Sequence, residues 1–122
     1  MTAVIDDVLG DAFSTKSSLA ADRISVQLVG CLDLATSPFL RHFLNQLTRS
    51  AQAGELLEFE FDIAQLYLMS SSSISHLASW LKGLRALEPV RRVTFRTNPK
   101  LSWQQRSLDA LRRVAEPLVK VE

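Results

Sequence analysis

Three short stretches of this chain carry apolar side chains at every second position, with polar or charged ones between them. Ile24, Val26 and Leu28 surround Ser25 and Gln27; Leu57, Phe59, Phe61 and Ile63 surround Glu58, Glu60 and Asp62; Val93 and Phe95 alternate with Arg92, Thr94 and Arg96. Successive side chains of a strand point to opposite faces, so each stretch reads as a strand with one buried and one wet face. Each is followed by apolar residues at three- and four-residue spacing. These are Leu40, Phe43, Leu44 and Leu47; then Ile74, Leu77, Ala78, Leu81 and Leu84; then Leu101, Leu108, Leu111 and Ala115. That spacing places them on one face of a helix.

The local signals bound these elements. Ser37 before Pro38 predicts an N-cap and a first helical residue, with the helix ending near Gly54. A loop through Tyr67 and Met69 leads to Ser70-Ser71-Ser72-Ser73, the expected start of the second helix, which runs towards Pro89. Asn98-Pro99 stops the third strand, and Ser102 with Gln105 matches a capping box for the last helix. Phe13 to Leu19 can pair with the first strand as an antiparallel edge, and Leu118 to Val121 can make a short final strand. Strand and helix alternation implies parallel strands joined by right-handed crossovers. With one apolar face per strand, the expected fold is α/β: a largely parallel sheet in near-sequential order with helices mainly on one face, unlike a doubly wound nucleotide-binding sheet.

A chain of 122 residues, 47% apolar, has the length of one domain, 1–122, in which 1–12 is a candidate flexible N-terminus. Cys31 is the only cysteine, which excludes an intramolecular disulfide. No run approaches the roughly 20 apolar residues of a membrane span. The start, with Asp6, Asp7 and Asp11, lacks the pattern of a secretory signal, so a cytoplasmic location without membrane insertion is expected. Residues 91–122 hold eight basic and three acidic side chains, which raises nucleic-acid binding as a reading. Against it, Arg92 and Arg96 should face Glu58, Glu60 and Asp62 across the wet face, and Arg106 with Asp109 and Arg112 with Glu116 sit at helical pairing distances. Nucleic acid is therefore not the expected partner.

Ligands of such sheets gather at the C-terminal ends of the parallel strands. Two loops reach that edge, Gly30-Cys31-Leu32-Asp33 and Leu68 to Ile74. A serine at a helix N-terminus sits where free backbone N-H groups favour negative charge, and phosphorylation would add about −1.5 to −2 charges there. The plain alternative is that the serines only cap the helix. Hydrolysis by Ser71 or Ser72 with His76 lacks a Gly-x-Ser-x-Gly elbow, and His42, His76 and Cys31 lack metal-ligand spacing. No catalytic residue, cofactor or metal is therefore expected. His76, Trp80, Gly83 and Leu87 share a second face of the serine helix, where an exposed Trp80 would suit an interface and His76 reads as simply exposed.

Gly30-Cys31-Leu32-Asp33, the strand from Glu58 to Ile63, and Leu66 to Leu77 before an amphipathic helix together resemble the STAS family, which includes the bacterial anti-sigma factor antagonists. Its members pair a Gly-x-Leu-Asp loop with a hydrophobic-Asp-Ser-Ser-Gly-Leu stretch whose first Ser a partner kinase phosphorylates. The resemblance implies Ser71 as phosphoacceptor, with Ser72 and Ser70 as further candidates, and marks Asp33 as a partner-binding candidate; Ser73 in the serine run and His76 and Trp80 on the second face of its helix complete the expected partner-binding set. Ser70 stands in place of the usual Asp, and Ser73 in place of the usual Gly. Leu66 to Ile74 is also similar to the divergent SiaC-like branch, with a Leu-Tyr-Leu-Asn-Thr-Ser-Ser-Ile stretch whose Thr falls on Ser71. The function implied is a non-enzymatic partner-switching component bound to an anti-sigma factor with serine-kinase character and reset by a phosphatase. The alternatives are a regulator of a diguanylate cyclase, a cytoplasmic STAS subunit of a transporter, and a nucleic-acid-binding module.

Overall fold

The computed structural model of the chain describes residues 5–116 and 118–122. Its elements in order are β1 (Phe13–Ala20), β2 (Arg23–Leu32), α1 (Ser37–Gln52), β3 (Glu58–Met69), α2 (Ser71–Arg85), β4 (Arg92–Arg96), α3 (Ser102–Val114) and β5 (Val119–Val121). They form one five-stranded sheet in sequence order, β1-β2-β3-β4-β5, with β1 antiparallel to β2 and the remaining pairs parallel. The sequential order is as the alternation predicts, and the antiparallel edge and short final strand fall where Phe13 to Leu19 and Leu118 to Val121 are expected to place them.

Register turns that alternation into rows of core side chains. Ile24, Phe59 and Val93 lie side by side across β2, β3 and β4, and Val26, Phe61 and Phe95 form the next row. All six are buried, under Leu40, Phe43, Leu44 and Leu47 of α1, Leu77, Trp80, Leu81 and Leu84 of α2, and Leu108 and Leu111 of α3. The other face carries the intervening positions. Glu58 lies beside Arg92, Asp62 beside Arg96, and the Glu60 carboxylate pairs with both Arg23 and Arg96. The acids thus face outward, as the sequence predicts. With Arg23 and Arg96 about half exposed, these pairs tie down polarity more than they add stability.

Several local expectations are corrected. The α1 N-cap is Thr36 and Ser37 is already helical; the Thr36 hydroxyl is held by the preceding loop and makes no capping bond. Ser102 is likewise the first residue of α3, and its N-cap, Leu101, offers no side-chain oxygen, so the capping box does not form. Asp109 pairs with Arg112 at 3.2 Å rather than with Arg106. The largest difference is in β3, which continues through Tyr67 to Met69 where a loop is expected. After a register shift pairing resumes at Val29↔Gln65 and Gly30↔Leu66, and after a second it continues at Cys31↔Leu68 and Leu32↔Met69. The sequence Leu66-Tyr67-Leu68-Met69 breaks strict alternation, which hides the strand from a two-residue period.

Of the candidate flexible stretch, residues 1–4 lie outside the described residues. Ile5 and Val8 pack against the core, and Thr15 receives the Val8 amide on its hydroxyl at 2.9 Å while donating to Asp7 at 2.9 Å.

Candidate functional site

Extending β3 past β4 creates a problem that a side chain solves. Beyond Asp62↔Arg96 the β3 backbone has no strand on its β4 side, so its carbonyls need other donors. The Gln104 amide, 1% exposed, donates to Ile63 O at 2.7 Å and to Leu66 O at 3.1 Å, while its oxygen accepts from Asn98 N at 2.8 Å. Asn98 Nδ2 donates to Ala64 O at 3.0 Å. Together they fix the end of β3, and so the start of α2. We expect Gln104→Leu to leave these backbone groups unpaired and to destabilise the domain by about 2–4 kcal/mol in urea unfolding. Sequence periodicity missed Gln104 because a polar residue at a buried helical position reads as a gap in the apolar stripe.

The two candidate loops meet at this edge. Ser70 N donates to Leu32 O at 2.7 Å, so one hydrogen bond joins the residue before Asp33 to the residue before Ser71. On one side, Asp33 and Thr36 bond reciprocally: Asp33 N donates to Thr36 Oγ1 at 2.9 Å and Thr36 N donates to Asp33 Oδ1 at 2.9 Å. The Thr36 hydroxyl also approaches Cys31 O at 2.9 Å. The Thr36 amide and hydroxyl hold the Asp33 carboxyl below its ordinary value, partly opposed by desolvation. A lowered value in the fold means the box stabilises where the carboxylate is ionised and loses its contribution as pH falls through that value. The side chain turns back onto its own loop, which makes Asp33 first a builder of that loop. Gly30, at φ +106°, lets this loop pass close to the β1 approach, where Ala12 O accepts from Cys31 N at 2.8 Å.

On the other side the four serines divide by position. Ser70 is the N-cap of α2, its hydroxyl accepting from Ser73 N at 3.2 Å. The Ser70 and Ser72 hydroxyls lie 3.1 Å apart, and Ser70 also bonds the Ser73 hydroxyl at 3.1 Å. Ser73 is fully buried, so the expectation that it touches a partner is corrected: it seats the helix. Ser71, the first helical residue, is exposed, and among the described residues its hydroxyl has no hydrogen-bond partner.

Trp80 is also corrected. It is 7% exposed, with its ring edge-to-face against Phe59 at 5.2 Å and Phe61 at 5.5 Å. It therefore belongs to the core, and only its outer edge reaches a groove between α1 and α2 that the half-buried His76 also lines. Exposed apolar residues do occur at the candidate edge: Leu34 in the Asp33 loop, Phe39 in the first turn of α1, and Tyr67 and Leu68 at the end of β3. Sequence reading missed them, although Leu34 inside a turn and the unbroken apolar run 66–69 were the signals available. Among the described residues no cluster can hold a metal ion, and no helix is long and apolar enough to cross a membrane.

No family model matches the chain, and no curated protein sequence does. Solved structures do. An anti-sigma factor antagonist from Mycobacterium paratuberculosis superposes with a TM-score of 0.67 at 15% identity, covering 88% of this chain and 86% of that one. The Bacillus cell fate determinant SpoIIAA in its phosphorylated form gives 0.61 at 16% identity over 91% of each chain. The unphosphorylated anti-sigma factor antagonist SpoIIAA gives 0.58 at 17% identity, covering 86% of this chain and 99% of that one. At such identities the likeness is one of architecture, and the chain has the STAS fold of the anti-sigma factor antagonists.

Proposed function

We propose that this chain is a non-enzymatic regulatory domain that docks to another protein through the edge formed by the Asp33 loop and the start of α2, and that phosphorylation of Ser71 weakens that docking. The observation that carries the reading is the division of labour among the serines. Ser70 caps, Ser72 bonds Ser70 and Ser73 is buried, which leaves Ser71 as the exposed, unengaged hydroxyl. A phosphate there sits beside free amides at a helix N-terminus, so the fold tolerates it. A partner packed against Leu34, Phe39 and Leu68 would have to desolvate the same charge. The similarity to SpoIIAA, known in phosphorylated and unphosphorylated forms, supports the reading. The partner class is an anti-sigma factor with serine-kinase character, and a phosphatase restores the free hydroxyl.

Peptide mass spectrometry of the protein purified from its own host tests the acceptor. Phosphate on Ser71 is expected. Phosphate confined to Ser70 or Ser72 would move the acceptor, and a protein that never carries phosphate under any growth condition would remove the switch.

A further inference from the structure

The helix layer has a charge pattern that the serine edge does not explain. α1 and α2 carry Arg41, Arg49, Lys82 and Arg85 and no acidic residue, and α3 adds three arginines against Asp109 alone. Apart from Asp109, the acids of the described residues lie before β1, on the wet sheet face, in the connections and at the C-terminus. Arg41, Arg49, Lys82 and Arg85 are all exposed, and none of the four takes part in an ion pair among the described residues. Between α1 and α2 runs an open groove of about 420 Å³. Its floor is apolar, made by Leu44 and the edge of Trp80, and its sides include Arg41 and Thr48 from α1 and His76 and Gly83 from α2. Gly83 faces open space, with nothing within 4 Å of where a Cβ would stand.

We propose that this groove docks an acidic amphipathic segment of a partner protein, with apolar side chains over the edge of Trp80 and Leu44 and a carboxylate towards Arg41. An apolar floor beside Arg41, between two helices that carry exposed cations and no acid, matches a helix that presents an apolar stripe flanked by acids. A nucleic acid fits less well: Trp80 is sunk in the core, and no aromatic face is offered for base stacking. The proposal is independent of the serine edge, since none of the serines at positions 70–73 lines the groove.

Phage-displayed random peptides selected on the wild-type chain should converge on acidic sequences with apolar residues at helical spacing. A synthetic copy of a selected peptide, followed by anisotropy and by Trp80 fluorescence in a Trp103→Phe background, should bind at least about tenfold more weakly to Gly83→Met and to Arg41→Glu. Gly83→Met fills the groove while raising helix propensity, so its thermal stability should hold or rise and a loss of binding cannot be blamed on unfolding. Ser71→Asp should bind the peptide like wild type, which separates this proposal from the serine switch. Selected peptides that are neutral or basic, or binding that ignores both groove substitutions, would overturn it. So would a loss in Ser71→Asp as large as in Gly83→Met. Groove-dependent binding of a single-stranded oligonucleotide or of phosphatidylserine vesicles in place of the acidic peptide would likewise overturn it, as would groove-dependent self-association in sedimentation.

Discussion

Gly30→Ala should destabilise the domain by about 3 kcal/mol or more, a large share of the 5–15 kcal/mol that holds a typical domain together. Two independent effects add. At φ +106° the backbone lies where side chains with a Cβ are strained, at about 1–3 kcal/mol. The new Cβ would also stand 2.1 Å from Ala12 O, a backbone atom held in place by its bond from Cys31 N. Relief requires breaking that bond and shifting the start of β1, which loosens the Asp33 loop. Two other glycines supply the controls. Gly54, at φ +78° but with nothing near its Cβ position, should lose only about 1 kcal/mol on substitution by Ala. Gly83→Ala, in an exposed helical position, should gain about 0.5–1 kcal/mol. Urea unfolding of the three variants checks the order; a Gly30→Ala variant as stable as wild type would refute the close approach.

Trp80→Ala should cost about 3–5 kcal/mol, the range for removing a large buried aromatic side chain. The lost contacts are the edge-to-face pairs with Phe59 and Phe61, which in turn stacks on Phe95 at 5.4 Å. The cavity would open under the centre of the sheet, where Val26, Phe61 and Phe95 form a continuous row. Such a loss lowers the thermal midpoint by roughly 3–6 °C per kcal/mol in a domain of this size. An interface residue would behave differently: truncation would weaken partner binding and leave the midpoint nearly in place. A scan that finds Trp80→Ala fully stable would return the residue to the surface.

The sheet was legible because its physics is local. Glu58, Glu60 and Asp62 cannot alternate with Leu57, Phe59, Phe61 and Ile63 unless one face is wet, and one wet face on each parallel strand restricts where the helices go. The serine run was legible as a helix start for the same reason, since Ser is a preferred cap. What stayed hidden depends on contacts distant in sequence. The end of β3 pairs with β2 on one side, and on the other its Ile63, Ala64 and Leu66 carbonyls are met by Gln104 and Asn98, some 34 to 41 residues away. Trp80 lies by spacing on the second face of its helix, beside the buried stripe, and its contacts with the Phe59 and Phe61 rings place it in the core. Thr36 rather than Ser37 stands at the α1 N-cap, and its hydroxyl, engaged by Asp33 and Cys31, caps no helix amide.

The most direct test of the switch is to compare wild type, Ser71→Ala and Ser71→Asp for affinity to the protein that co-purifies with the chain from its host, with thermal midpoints measured on the same samples. A carboxylate at the first position of α2 interacts favourably with the helix dipole, by about 0.3–1 kcal/mol, so the Asp variant should melt at or slightly above the wild-type midpoint. Its affinity for the partner should fall at least about tenfold, while Ser71→Ala binds like wild type and takes up no phosphate from the kinase. Equal affinity of Ser71→Asp, Ser71→Ala and wild type for that partner would contradict the account and leave a constitutive docking domain.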